Sequence, residues 1–271
     1  MLRDLRALKE MQFRLNTTWY HGTFKDSYEH IKANGIDVGL GIALKRKLDF
    51  GPGFYLTSRQ QQAERFILGK RNASPFNKKK IPCVIVYEID MEKLLSDFKG
   101  AYFLDFDKDF ADFVAENRRA SGLRHSHDFV FGKVADGTEL VPATNLYREN
   151  RLSDAAYLTK IVNKKFADDD QLSIHNSGIS AIMKEINMYE LWKGLSELAI
   201  KERTDNRKVF SDSAVDYMHE NYAVNKVRAQ ELMSAYIDEI NVNDPITQHL
   251  GPDYFAIQIL MAEEIIPYQP M

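Results

Sequence analysis

The feature that most limits the fold of this chain is the place where its strand signals stop. Up to about residue 185, short runs rich in aromatic and β-branched residues are interleaved with helical periodicities; beyond it only helical spacing remains. Strands are expected at residues 18–23, 54–57, 84–89, 128–134 and 171–175. Helices are expected at 27–34, closed by Gly35, and from 58, where Ser58 stands as a cap ahead of Gln60, Ala63, Phe66 and Ile67. Another is expected at 109–119, with Phe110, Phe113 and Val114 on one face. Residues from 94 onward read as loop and helix. Connections of such uneven length are poor for regular βαβ winding, so the class is α+β. The later helices are expected at 186–200, 213–222, 226–240 and 255–265, with breaks at Asp244-Pro245 and Gly251-Pro252. The chain is thus read as a mixed domain over 1–185 and a small all-helical domain over 186–271. Within the first, Leu2, Leu5, Leu8 and Met11 recur at helical spacing, giving an amphipathic helix over 1–15 that packs on the body or on a partner.

A formal net charge of −3 over 271 residues argues against attraction of the whole molecule to nucleic acid, while leaving room for a local basic patch. One cysteine, Cys83, allows no disulfide within a monomer, and its apolar surroundings read as a buried, inert thiol. The N-terminus lacks the uninterrupted apolar stretch of a signal peptide, and no segment is apolar enough for a membrane span. The expectation is a soluble, cytoplasmic protein of a reducing compartment.

Three segments carry chemistry: Tyr20-His21-Gly22-Thr23, residues 49–57 (Asp-Phe-Gly-Pro-Gly-Phe-Tyr-Leu-Thr) and residues 169–174, around Gln171. His21 is read at a point where a strand opens into a glycine turn, placing an imidazole beside backbone amides. Gly51 and Gly53 let a loop pass tightly before a strand that projects the flat ring of Tyr55, which can stack on a heteroaromatic base. Taken singly, a strand histidine or tyrosine is more often structural.

In order, however, these segments resemble the His–Tyr–Glu class of ADP-ribosyltransferases, which includes diphtheria toxin and the poly-ADP-ribose polymerases. They are more closely similar to a bacterial family of small ADP-ribosyltransferase-like proteins. That family joins a YHGS-type start to a DFGxGFYLT-type segment, an NRR-type helix end (here Asn117-Arg118-Arg119) and a YDxVxGxVADD-type strand (here residues 127–136). The similarity spans about residues 18–185. It implies a split β-sheet fold with NAD, as substrate, in the cleft. His21 would hydrogen-bond a ribose hydroxyl, the Gly22 backbone would hold the nicotinamide amide, and Tyr55 would stack on the nicotinamide ring. Thr23, Gly53 and Phe54 would complete the NAD-binding surface. The activity implied is mono-ADP-ribosylation of a macromolecular acceptor, protein or nucleic acid, by a bacterial toxin or defence effector; such a protein would have a cognate inhibitor protein as partner. Two alternatives stand beside it: an NAD glycohydrolase, and a non-catalytic NAD- or ADP-ribose-binding module.

The chain departs from the class at its third position, where Gln171 stands in place of glutamate. Breaking the nicotinamide–ribose bond builds positive charge on the ribose, which a neighbouring carboxylate stabilises and a neutral amide does not. Asp136, at the end of the GKVAD segment, is the candidate for the missing charge, against the plain reading of a turn aspartate. Asp169 and Asp170 read as solvated charges. Residues 69–80, with several cations and no acid, form a candidate basic loop for nucleic acid, or else a solvated lysine-rich loop. Residues 44–47 (Leu-Lys-Arg-Lys) add to that local positive charge, or else face NAD pyrophosphate. His125 and His127, with no cysteine and no third ligand at metal-site spacing nearby, do not make a metal site, and no metal cofactor is expected.

Overall fold

The computed structural model describes residues 2–119, 122–191, 204–242 and 244–270. Its strands are β1 (Thr18–Phe24), β2 (Phe54–Leu56), β3 (Pro82–Ile89), β4 (Gly100–Phe103), β5 (Phe129–Lys133), β6 (Asp170–Ile174) and β7 (Met183–Glu190). The helices of the first part are α1 (Leu2–Leu15), α2 (Lys25–Asn34), α3 (Leu40–Ala43), α4 (Gln60–Ala73), α5 (Met91–Asp97), α6 (Lys108–Asn117), α7 (Leu140–Arg148) and α8 (Asp154–Ile161). Then follow α9 (Thr204–Tyr222), α10 (Lys226–Tyr236) and α11 (Pro245–Ala262). The class is α+β.

Two sheets form. One has the order β1-β3-β7 and is antiparallel throughout; the other has the order β2-β6-β5-β4, with β4 and β5 parallel. They are stitched at one point, where Tyr20 and Thr57 exchange backbone hydrogen bonds of 2.9 Å in each direction. The main core lies between the sheets, where Trp19, Ile85 and Tyr87 of the first meet Phe54, Phe131, Leu172 and Ile174 of the second, with Phe13 of α1 inserted among them. Phe13 stacks on Phe131 with ring centroids 4.2 Å apart, so the N-terminal helix packs on the body. Its Leu8, Met11 and Leu15 remain exposed. α4 closes the outer face of the first sheet through Ala63 and Ile67 against Phe24 and Val84. α6, α7 and α8 close the far face of the second around Phe110, Val114, Val130 and Tyr157.

Three expectations are corrected. The strand signals do not stop at 185: β7 runs to Glu190 where a helix over 186–200 was expected, and residues 192–200 lie outside the described residues. β7 is an edge strand, held by its ladder to the buried β3 with a shift of register at Val86/Tyr87. Its Ile186 is exposed, so no buried alternation marks it in the sequence. Nor is the region after Leu94 only loop and helix. It contains β4, a half-buried strand whose pairing comes from β5. Ser58 does not cap α4: the residue before the helix is Arg59, and Ser58 donates its hydroxyl to Asp170.

α9, α10 and α11 form a cluster around Phe210, Tyr217, Met218, Leu232, Phe255 and Ile259. Leu44 and Ala73, from the mixed part of the chain, are buried in the same cluster. α11 is apolar on all sides because it is the centre of this layer, buried along most of its length. The break expected at Gly251-Pro252 falls inside α11 as a kink, with Gly251 at φ 80°. No helix among the described residues is long and apolar enough to cross a membrane. Cys83 is fully buried, and burial pushes its thiol up to about 12, as expected of an inert thiol.

Candidate functional site

β1 and β2 come together at the Tyr20–Thr57 bridge, and that junction brings His21 onto the second segment. The His21 Nδ1 lies 2.6 Å from the Tyr55 carbonyl. A carbonyl only accepts, so Nδ1 carries the proton and Nε2 is the ring's acceptor. The ring stacks on Phe54, with centroids 4.3 Å apart and planes 26° apart. Burial lowers the His21 pKa to about 4, with the Tyr55 carbonyl opposing and Lys70 adding to the shift, so the imidazole is neutral at neutral pH. The glycine turn expected after His21 is absent: β1 continues through Gly22 and Thr23 to Phe24, paired with β3 as far as Pro82. Gly22 is small because α4 crosses there; a Cβ would lie 2.4 Å from the Ala63 carbonyl. Thr23 and Phe54 are buried, whereas His21, Gly22, Gly53 and Tyr55 are half-buried.

The 49–57 segment folds back on itself. Gly51 takes φ 81°, which only glycine adopts without strain, and a Cβ on Gly53 would meet the Ile174 carbonyl and Ser173 Oγ, each at 2.7 Å. The Tyr55 hydroxyl donates to the Gly51 carbonyl at 2.6 Å and accepts from the Phe50 amide at 3.1 Å. The ring is therefore fixed by its own loop, and burial raises its pKa. Tyr55 is paired with Ser173 on β6, and Gln171, two residues away, is on the same face of the sheet.

Gln171 is buried and donates from Nε2 to Asp49 Oδ2 at 3.1 Å and to the Lys133 carbonyl at 2.9 Å. Asp49 is fully buried. Its Oδ1 accepts from Arg118 Nε at 2.7 Å and its Oδ2 from the Ala135 amide at 3.1 Å, with His249 Nδ1 of α11 3.7 Å away. Burial alone would raise the Asp49 carboxyl; Arg118, then His249 and Gln171, outweigh it and hold the group below the ordinary carboxylate value. Arg118 also donates from Nη2 to the His249 carbonyl at 3.0 Å. Asp136 follows Ala135 and accepts from the Asn163 amide at 3.3 Å. Burial, reinforced by Asp169, raises its pKa to about 7. The carboxylate in contact with Gln171 is thus Asp49, which sequence reasoning passed over. No local signal marked it: Asp49 needs a cation only because it is buried, and its partner Arg118 lies far along the chain in the NRR segment.

A family model described as "protein of unknown function (DUF3990)" matches residues 18–186. The chain belongs to that family. No curated protein and no solved structure matches it. The DUF3990 region holds β1 to β6, the His21–Tyr55 junction and the Asp49–Gln171 contact, whereas His249 comes from outside it.

Around this centre, several charged segments of the DUF3990 protein are committed to its own structure. In the 44–47 segment, Arg46 is ion-paired with Asp253 at 2.8 Å and Lys45 Nζ donates to the Asn221 carbonyl at 2.9 Å, so both are engaged by the helical layer. Residues 69–80 are not a loop but the end of α4 and a short 3-10 turn, Pro75–Asn77. Ser74 donates to Gln258 at 2.7 Å and Asn77 to the Tyr254 hydroxyl at 3.0 Å, pinning the turn to α11. Lys70 is buried and Lys80 is paired with Asp26 at 3.3 Å, which leaves Lys78 and Lys79 as its exposed lysines. Asp169 and Asp170 are half-buried rather than solvated: Asp169 pairs with Arg65, and Asp170 accepts from the Ser58 amide at 2.8 Å and Thr57 Oγ1 at 2.9 Å. The His125 and His127 ring centroids lie 5.3 Å apart with their planes tilted by 34°, and His125 Nε2 lies 2.9 Å from the Phe50 carbonyl. Among the described residues no group of three or more histidines, cysteines and acids is arranged to hold a metal. The surface also carries cavities. One of about 680 Å³ is lined by Arg119, Tyr147 and Arg148; one of about 430 Å³ lies under α1, against Trp19 and Arg59, and borders the Gln171 strand through Lys133 and Asp170.

Proposed function

We propose that this protein is an NAD-dependent ADP-ribosyltransferase that moves ADP-ribose to a macromolecular acceptor and releases nicotinamide. The observation that carries the reading is the junction of the two sheets. His21 on β1 is bonded to Tyr55 on β2, and Gln171 shares a face with Tyr55 on the neighbouring β6. Two sheets joined at one bridge support a split-sheet reading of the fold. In this reading His21 accepts a ribose hydroxyl at Nε2, since its Nδ1 proton is committed to Tyr55. The Gly22 backbone holds the nicotinamide amide, and the Tyr55 ring, fixed by Gly51 and Phe50, stacks on the leaving group. As the glycosidic bond breaks, its electron pair leaves with nicotinamide and positive charge develops on the ribose. The acceptor then adds to that carbon and loses its proton. Asp136, with a pKa near neutrality, is the group here suited to take that proton.

Water as acceptor would make the protein an NAD glycohydrolase, and absence of turnover would make it a binding module. Nicotinamide release from NAD by the purified protein separates the last from the other two. Label transfer from radiolabelled NAD to a cell lysate, followed by protease or nuclease digestion, separates the first two and names the acceptor class. Failure to release nicotinamide refutes the enzymatic reading. A role as toxin or defence effector, with a cognate inhibitor protein, follows from the family resemblance alone and belongs to the same proposal.

A further inference from the structure

Gln171 stands where the transferase chemistry calls for a negative charge, and the structure places one directly behind it. The Gln171 amide nitrogen donates to Asp49 Oδ2 at 3.1 Å and to the Lys133 carbonyl at 2.9 Å. Both partners only accept, so the amide has one orientation: nitrogen toward Asp49, oxygen away from it. Oε1 makes no hydrogen bond among the described residues and is the atom left for a donor such as a ribose hydroxyl. A charge-assisted bond to the nitrogen of an amide polarises it and makes its oxygen more negative.

We propose that Asp49 is a positioning residue that lends its charge to the site through Gln171, so that the two side chains together do what one glutamate would. The inference rests on the transferase reading given above. The groups facing Asp49 are Arg118 from the end of α6, the Ala135 amide after β5, Gln171 from β6 and His249 from α11. Arg118 keeps the carboxyl ionised. His249 Nδ1, 3.7 Å from Asp49 Oδ2, has its own pKa lowered chiefly by burial, with Asp49 opposing. The plain competitor is a structural one: Asp49 and Arg118 as a buried ion pair that ties the glycine-rich loop to α6 and to α11.

Reciprocal rescue separates the two. A structural role makes Asp49→Asn and Gln171→Glu two independent injuries. A charge-lending role makes them compensate, because Gln171→Glu alone sets two carboxylates within hydrogen-bond distance, where one must take up a proton. The double variant moves the single charge one bond closer to the substrate. The experiment is nicotinamide release from NAD by the full chain, as kcat and KM across a pH series, for the parent, D49N, Q171E and D49N/Q171E. Each variant is first checked for folding by circular dichroism and thermal melting. Expected for D49N is a kcat about 100-fold below the parent, with KM for NAD changed by less than about threefold. Q171E should also be slower than the parent, with a new inflection in its pH–rate profile well above the ordinary carboxyl range. D49N/Q171E should lack that inflection and run at least about tenfold faster than either single variant. If D49N does not fold, the activity and pH–rate profile of Q171E against the parent carry the test alone. A Q171E protein as active as the parent with an unshifted profile, or a double variant slower than Q171E, overturns the inference and leaves the transferase reading standing. A folded parent that releases no nicotinamide overturns both.

Discussion

Arg46 and Asp253 meet in a buried ion pair, Nε to Oδ2 at 2.8 Å, with the two side chains 10% and 2% exposed. Arg46 lies just before the glycine-rich loop and Asp253 in α11, so the contact joins the DUF3990 region to the helical layer. Arg46 also donates to the Leu250 carbonyl at 2.8 Å and lies over the Tyr254 ring. Asp253→Ala would leave the guanidinium buried without its anion, a change that typically costs about 3–5 kcal/mol. Replacing both partners by apolar residues of similar volume should cost much less. Urea unfolding of the two variants measures the difference, and equal losses would show the pair to be uncoupled.

His21→Ala should abolish nicotinamide release while the melting temperature falls modestly, since the imidazole stacks on Phe54 and holds the Tyr55 carbonyl. Tyr55→Phe tests a different element. It keeps the stacking ring and deletes the bonds to Gly51 and Phe50, at a cost of about 1–2 kcal/mol in stability. Turnover should survive in Tyr55→Phe and vanish in Tyr55→Ala. Parent-level turnover in folded His21→Ala or Tyr55→Ala removes the site assignment.

Asp136 gives a signed prediction for pH. Its folded pKa is raised from 3.8 to about 7, mainly by burial and then by Asp169. The contribution of the protonated carboxyl is therefore fully present below the unfolded value and is lost as pH rises through about 7. Asp136→Asn, which stays neutral, should match the parent's stability near about pH 4 and exceed it near about pH 8 by about 2–4 kcal/mol. Denaturant midpoints at the two pH values read this directly. If Asp136 accepts the acceptor's proton, the same variant is slow as well as stable.

Lys78 and Lys79 are the exposed lysines of the 69–80 segment, whose backbone is pinned to α11. Should the acceptor be a nucleic acid guided by this turn, neutralising both should reduce the slope of log activity against log salt by about 1–2 while NAD hydrolysis without acceptor is unchanged. Identical slopes in variant and parent would show these lysines to be a solvated surface.

The sequence by itself determined the α+β class, five of the seven strands and the three C-terminal helices among the described residues, because each announces itself locally. Buried strands such as β3 carry continuous apolar runs, and α6 carries an apolar stripe. It also picked out His21, Tyr55 and Gln171 before their strands were known to lie together. What only the tertiary structure decided is whatever depends on a distant partner. β4 and β7 are strands because β5 and β3 offer them ladders, and their own side chains are half exposed and carry no period. Gly22, read as a turn, is small because helix α4 presses its Ala63 carbonyl there. The charge beside Gln171 comes from Asp49, 122 positions away, whose carboxyl is held down by Arg118, His249 and Gln171, groups that reach it only inside the fold. A buried charge is determined by what surrounds it in space, and no local pattern records that surrounding.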